Sequence, residues 1–190
     1  MITDFTKLTL PEILAETEAI AADANRAFGG LNARQLNWKP AADAWSVAQC
    51  LEHLMAANHE MFPIMDEAMA GKKRTRFFER LPVLPGLSGK LMVKVVSPDS
   101  KQKLKAPRAA RPAASAIDAE VVRRFVTHQR EIAGRINGLE RLNAAQVVMT
   151  SPFASFVAYS LLDACRLVVA HERRHLAQAR RVMETPGFPS

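Results

Sequence analysis

A chain of 190 residues, 48% hydrophobic and 24% charged, can bury one sizeable core, and we expect a single domain spanning residues 1–190. Gly is scarce while Ala, Leu, Arg and Glu are abundant, which favours helix over sheet; no apolar run nears the ~18 residues of a membrane span, and Met1 to Leu10 lacks the basic head and apolar run of a secretory signal. The formal net charge of +7 is uneven: Lys72 to Arg111 holds 12 Lys or Arg against Glu79 and Asp99, for +10, and the remainder sums to −3.

The first helix signal is Thr9-Leu10-Pro11-Glu12, an N-cap, a first-turn proline and a capping-box acid. Leu10, Ile13, Leu14, Thr17, Ile20, Ala21, Ala24 and Phe28 follow at helical spacing until Gly29-Gly30. Leu31 to Ala44 reads as a connection, with Trp38 and Trp45 as anchors on the bundle. Ser46 and Gln49 then open a second helix as a reciprocal capping box. Its stripe is Val47, Leu51, Leu54, Asn58, Met61 and Met65, with Cys50, His53, Ala57, Glu60 and Ile64 beside it. Pro63 should kink or divide this helix, and Gly71 should stop it.

Lys72 to Ser115 carries Pro82, Pro85, Pro98, Pro107 and Pro112 and is expected to be irregular, with short helical pieces at Phe77–Leu81 and Ser88–Val96. We read 72–115 as a long basic insertion packed over one end of the molecule. Only Phe77 and Phe78 are aromatic in its basic part, so a stacking platform for single strands is poorly supported, and nucleic acid is the least favoured partner. Ser115 and Asp118 should start a third long helix, striped by Val122, Phe125, Val126, Ile132 and Ile136. Asn143 to Ser155 reads as a connection, and a fourth long helix is expected over about Ser160 to Glu184. Four long helices without a persuasive strand signal indicate an all-α four-helix bundle.

Chemistry concentrates in two stretches. Ala170-His171-Glu172-Arg173-Arg174-His175-Leu176-Ala177-Gln178 places two imidazoles four residues apart on one helix face. Trp45-Ser46-Val47-Ala48-Gln49-Cys50-Leu51-Glu52-His53-Leu54 supplies a third near an apolar face. His53, His171 and His175 therefore read as one site for a divalent ion such as Zn²⁺, Ni²⁺ or Fe²⁺, with open positions for water or substrate. Cys50 and Cys165 are expected to be reduced core residues of a cytoplasmic protein, with Cys50 close enough along the helix to line the site. His171-Glu172-Arg173-Arg174-His175 also fits the H-E-x-x-H helix of zinc proteases, in which the glutamate is a general base. That reading is set aside: only fifteen residues follow His175, Glu184 is the sole acid among them, and no sheet edge is expected to hold a peptide. Glu172 is assigned to pairing with arginine or tuning the site. His59 and His128 are left out of the site, Glu60 is a candidate supporting residue or a solvated one, and Tyr159 and Asn58 are possible substrate contacts.

These two stretches, in this order and on these helices, resemble the DinB-like (DinB/YfiT-like) metalloenzyme family, whose pattern is a tryptophan-serine helix start leading to His-Leu, then a late H-x-x-x-H with a nearby Gln. The Lys105-Ala106-Pro107 loop followed by Pro112 adds to the likeness. The resemblance implies an up-down-down-up four-helix bundle, a homodimer, and His53, His171 and His175 as the metal triad. It also implies a small-molecule substrate: characterised relatives include thiol-dependent S-transferases and a mycothiol-dependent isomerase. The leading expectation is thiol-dependent S-transferase-like chemistry using a low-molecular-weight thiol. The alternatives are a metal-dependent hydrolase and a non-enzymatic metal- or ligand-binding dimer.

Overall fold

Helix starts and stops written into the sequence recur in the computed structural model, which describes residues 3–75, 77–80, 84–102, 105–113 and 116–190. The helices are α1 (Leu10–Phe28), α2 (Ala33–Asn37), α3 (Val47–His59), α4 (Phe62–Met69), α5 (Leu84–Val96), α6 (Val121–Gly138) and α7 (Leu161–Met183); the strands are β1 (Val148–Ser151) and β2 (Ala154–Ser160). The Glu12 carboxylate accepts from the Thr9 backbone N–H at 2.8 Å and from its hydroxyl at 2.7 Å, closing the first turn of α1. Ser46 and Gln49 exchange hydrogen bonds at 3.1 and 3.2 Å at the start of α3. Pro63 divides the second predicted helix: α3 ends at His59 and α4 starts at Phe62, where a first-turn proline needs no N–H. Gly71 follows α4 at φ +66°, a left-handed conformation that suits glycine.

Helix α1 packs on α6 and α7, and α3 packs on the same two helices. Their apolar stripes meet in one core that includes Ile13, Ile20, Phe28, Leu51, Leu54, Phe125, Ile136 and Val169. Among the described residues, no helix is long and apolar enough to cross a membrane.

Four expectations need correction. The all-α reading missed an antiparallel hairpin, in which Val148 pairs with Ser160, Met149 with Tyr159 and Thr150 with Ala158. Val147, Val148, Thr150, Phe156, Val157 and Tyr159 are good strand formers, but Ser151-Pro152 masked them as a loop. Pro152 and Phe153 are instead the hairpin turn, where the Ser151 hydroxyl accepts from the Phe153 N–H at 3.2 Å. Second, the stretch read as a connection after α1 contains α2, capped by Asn32 with Gln35 as its reciprocal partner.

Third, the segment expected to be irregular holds α5, thirteen residues long, packed on α7 and β2. The other helical piece foreseen there is a 3-10 turn over Phe77–Arg80, and its expected last residue, Leu81, lies outside the described residues. Buried Glu79 ties this region down, accepting from Lys73 at 2.6 Å and from the Thr150 hydroxyl at 3.0 Å. Fourth, α6 starts at Val121 rather than after Ser115 and Asp118; Asp118 instead accepts from the Glu120 N–H at 2.8 Å in the preceding turn, and Ser115 lies outside the described residues.

The hairpin leads straight into the helix that carries the two late histidines. Ser160, the last residue of β2, caps α7 by accepting from the Asp163 N–H at 3.0 Å. Helix α5 crosses this cap at Gly89, where an added Cβ would stand 2.4 Å from Asp163 Oδ2 and 2.8 Å from its Cγ. Gly89→Val is expected to destabilise the protein by about 1–3 kcal/mol through overpacking, read as a lowered urea midpoint with an unchanged slope.

Candidate metal centre

Helical geometry sends each residue of the late motif to a different neighbour, because successive side chains turn by about 100°. Glu172 points into the core, where it accepts from Asn58 Nδ2 of α3 at 2.9 Å and from Gln129 Nε2 of α6 at 2.8 Å. Arg173 turns to α1 and pairs with Glu16 and Asp23. Arg174 turns to the chain after α5 and donates to the carbonyls of Ser97 at 3.1 Å, Ser100 at 3.0 Å and Gln102 at 2.5 Å. His171 and His175 share the remaining face, which looks at His53 on α3.

The three rings converge. One ligand atom from each of His53, His171 and His175 lies within 4.8 Å of the other two. Ring centroids are 5.0 Å apart for His53 and His171, 4.7 Å for His53 and His175, and 4.6 Å for His171 and His175. The Nδ1–H of His53 donates to the Ala110 carbonyl at 2.5 Å, and a carbonyl can only accept. The neutral ring therefore presents a bare Nε2, which stands 3.2 Å from His171 Nε2. Trp45 closes one side, its ring 5.6 Å from His175 at 25° and 4.8 Å from His53. The sequence made Trp45 a general anchor; in the structure it is a wall of the site.

Ala110 belongs to a short 3-10 turn, Arg108–Ala110, in the basic segment. Two further bonds hold this stretch against α3: Gln49 Nε2 donates to the Ala113 carbonyl at 2.8 Å, and the Ala113 N–H donates to Glu52 at 2.5 Å. The carbonyl that fixes the His53 tautomer was not foreseen, since a main-chain acceptor leaves no mark in a side-chain pattern.

Burial pushes all three imidazoles below their usual pKa. For His53 the Ala110 carbonyl opposes the shift. His171 lies well below its ordinary value through burial and the nearby His175 and His53, and His175 is pushed down to about 3 by burial, then by His53 and Arg174. All three are neutral at pH 7, the form that binds metals. The buried Nδ1 of His175 has no hydrogen-bond partner among the described residues. A convergent set of neutral nitrogens, one held to a single tautomer and one buried without a partner, fits a borderline divalent ion.

Other candidates fall elsewhere. Cys50 and Cys165 are buried in the core, which pushes each thiol up to about 12. Neither Asn58 nor Tyr159 is positioned to meet a substrate, being 2% and 1% exposed, and Glu60 is a solvated surface residue. His59 and His128 come together with Glu131 rather than with the triad. The ordinary role of Glu172 as an arginine partner is not observed, and burial pushes its carboxyl up to about 7, against its bonds from Gln129 and Asn58. It faces the α3–α6 side of α7, bonded to Asn58 and Gln129, unlike a zinc-protease base that reaches metal-bound water.

Residues 16–179 match the family model of the DinB superfamily. The chain belongs to the DinB superfamily. It is also similar to the uncharacterized protein YuaE of Bacillus subtilis (strain 168), at 26% identity over 156 residues, covering 82% of this chain and 87% of that protein. No solved structure matches the chain.

Proposed function

We propose that the chain is a divalent-metal-dependent enzyme in which His53, His171 and His175 hold the ion, and that its reaction is thiol-dependent S-transfer. The observation that carries this reading is the convergence of three neutral imidazoles within 4.8 Å, with the His53 Nε2 lone pair turned inward by Ala110. A bound divalent ion supplies Lewis acidity there, favouring the thiolate of an incoming thiol. The protein's own residues do the rest. Ala110 and Trp45 hold the rings in place, and the surrounding core keeps the imidazoles neutral. Arg108 and Arg111 are exposed beside Ala110 and suit the carboxylates of a low-molecular-weight thiol.

The four long helices are read as an up-down-down-up bundle in a single domain over residues 1–190, with the basic insertion at 72–115, working as a cytoplasmic homodimer. Packing of α1 and α3 on both α6 and α7 supports the helical bundle. The test is turnover of electrophilic substrates by Zn²⁺- or Ni²⁺-loaded protein with a panel of cellular thiols. The expected result is metal-dependent turnover that needs one thiol of the panel. Ester or amide hydrolysis without added thiol would instead indicate a hydrolase, and tight ligand binding without turnover would indicate a binding protein.

A further inference from the structure

On the far side of the buried Asn58–Glu172 contact lies a second nitrogen-rich cluster. His59 ends α3, while His128 and Glu131 sit one helical turn apart on α6. One ligand atom from each of the three lies within 4.8 Å of the others. His128 Nδ1 is 3.6 Å and His59 Nε2 is 4.0 Å from Glu131 Oε2. Ligands at about 2.0–2.1 Å from a tetrahedral zinc ion stand about 3.3 Å apart, so small rotations of two solvent-facing side chains would complete the geometry.

The buried member is already fixed. His128 is 3% exposed, and its ring stacks on Phe62 at 5.3 Å and 27°. Its other nitrogen, Nε2, meets the Asn58 amide at 3.3 Å. Stacking on Phe62 and this contact hold the ring in place, with Nδ1 turned towards Glu131. The His59 ring stands edge-on to both His128 at 4.8 Å and Phe62 at 5.2 Å. Arg135, one turn beyond Glu131 on α6, is paired with Asp66, with contacts of 3.0 and 3.3 Å.

From this geometry we infer that His59, His128 and Glu131 form a second divalent-metal site, suited to Zn²⁺ and similar borderline ions, which clamps the end of α3 to α6. Two imidazoles and one carboxylate select such ions over Mg²⁺ or Ca²⁺, which prefer oxygen-only shells. With metal at Nδ1, His128 would carry its ring proton on Nε2, so the Asn58 amide, which here donates to that nitrogen and to Glu172, would have to shift. His59 and Glu131 are exposed, so the ion exchanges directly with solvent and keeps positions for water. The site stands independently of the His53 triad.

The experiment counts zinc per chain by mass spectrometry after stripping with chelator, reloading with micromolar Zn²⁺ and desalting. In a His53→Ala/His171→Ala protein, one equivalent is expected to remain, and adding His59→Ala with Glu131→Gln should remove it. Circular dichroism checks that the fold is kept, which the exposure of both residues favours. In the otherwise native chain, His59→Ala with Glu131→Gln should lose one equivalent, whether or not the triad itself binds metal. Retention of the same zinc in all these variants, or binding only at millimolar Zn²⁺, would overturn the inference.

Discussion

Stripped of metal, the protein is expected to lose stability as the pH falls from 7 towards 4. His53, His128, His171 and His175 all have folded-state pKa values below the ordinary 6.5. Below pH 6.5 the unfolded chain takes up protons that the folded chain refuses, so stability present at neutral pH is withdrawn on acidification. His128 is pushed down to about 4, chiefly by burial, with His59 and Arg135 adding to it. At about 1.4 kcal/mol per unit, that residue alone withdraws about 3 kcal/mol by pH 4. Glu172 acts the other way: with a folded pKa of about 7 against 4.5, it favours the folded state as pH falls between those values. One opposing carboxyl does not balance four imidazoles, so urea midpoints measured in chelator at pH 8, 6 and 5 should fall in that order. Midpoints that stay level or rise on acidification would contradict the burial and neutrality assigned to these histidines.

Glu172→Ala is expected to destabilise the protein by about 2–4 kcal/mol, whereas Glu172→Gln should recover most of that loss. The alanine leaves a cavity and strands the Gln129 amide and one Asn58 contact in the core, and each unsatisfied buried group costs about 1–3 kcal/mol. Glutamine keeps an oxygen where Asn58 and Gln129 donate. The same pair of variants separates a structural carboxylate from a catalytic base. A base acting on water would lose activity equally in both variants, with little change in stability for the glutamine. The present account predicts that Glu172→Gln keeps its activity and that its stability falls more steeply than that of the native chain as the pH drops from 7 to 4.5, because the opposing carboxyl is gone.

The triad was legible because its signal is local: an i, i+4 pair on a helix, and a third histidine seven residues after a clear capping serine. Thr9, Ser46, Ser160 and Pro63 marked helix limits for the same reason, as each satisfies or removes specific main-chain groups at a terminus. The hairpin was harder to see because both its strands are short and β2 ends in a buried run, Ala158-Tyr159-Ser160, instead of alternating. Helix α5 was obscured by prolines at 82, 85 and 98, yet Pro85 lies in its first turn, where proline is tolerated. His59 and His128 were set aside because their partnership spans α3 and α6, and Glu131 gives no sign of it in sequence.

The most direct test of the central claim is the metal content of protein purified without a histidine tag and reconstituted with Zn²⁺, Ni²⁺ or Fe²⁺, beside a His53→Ala/His171→Ala variant. The account predicts that the native chain retains one more equivalent of metal than the variant. Equal metal in both proteins, or none in the native chain after reconstitution, would contradict it.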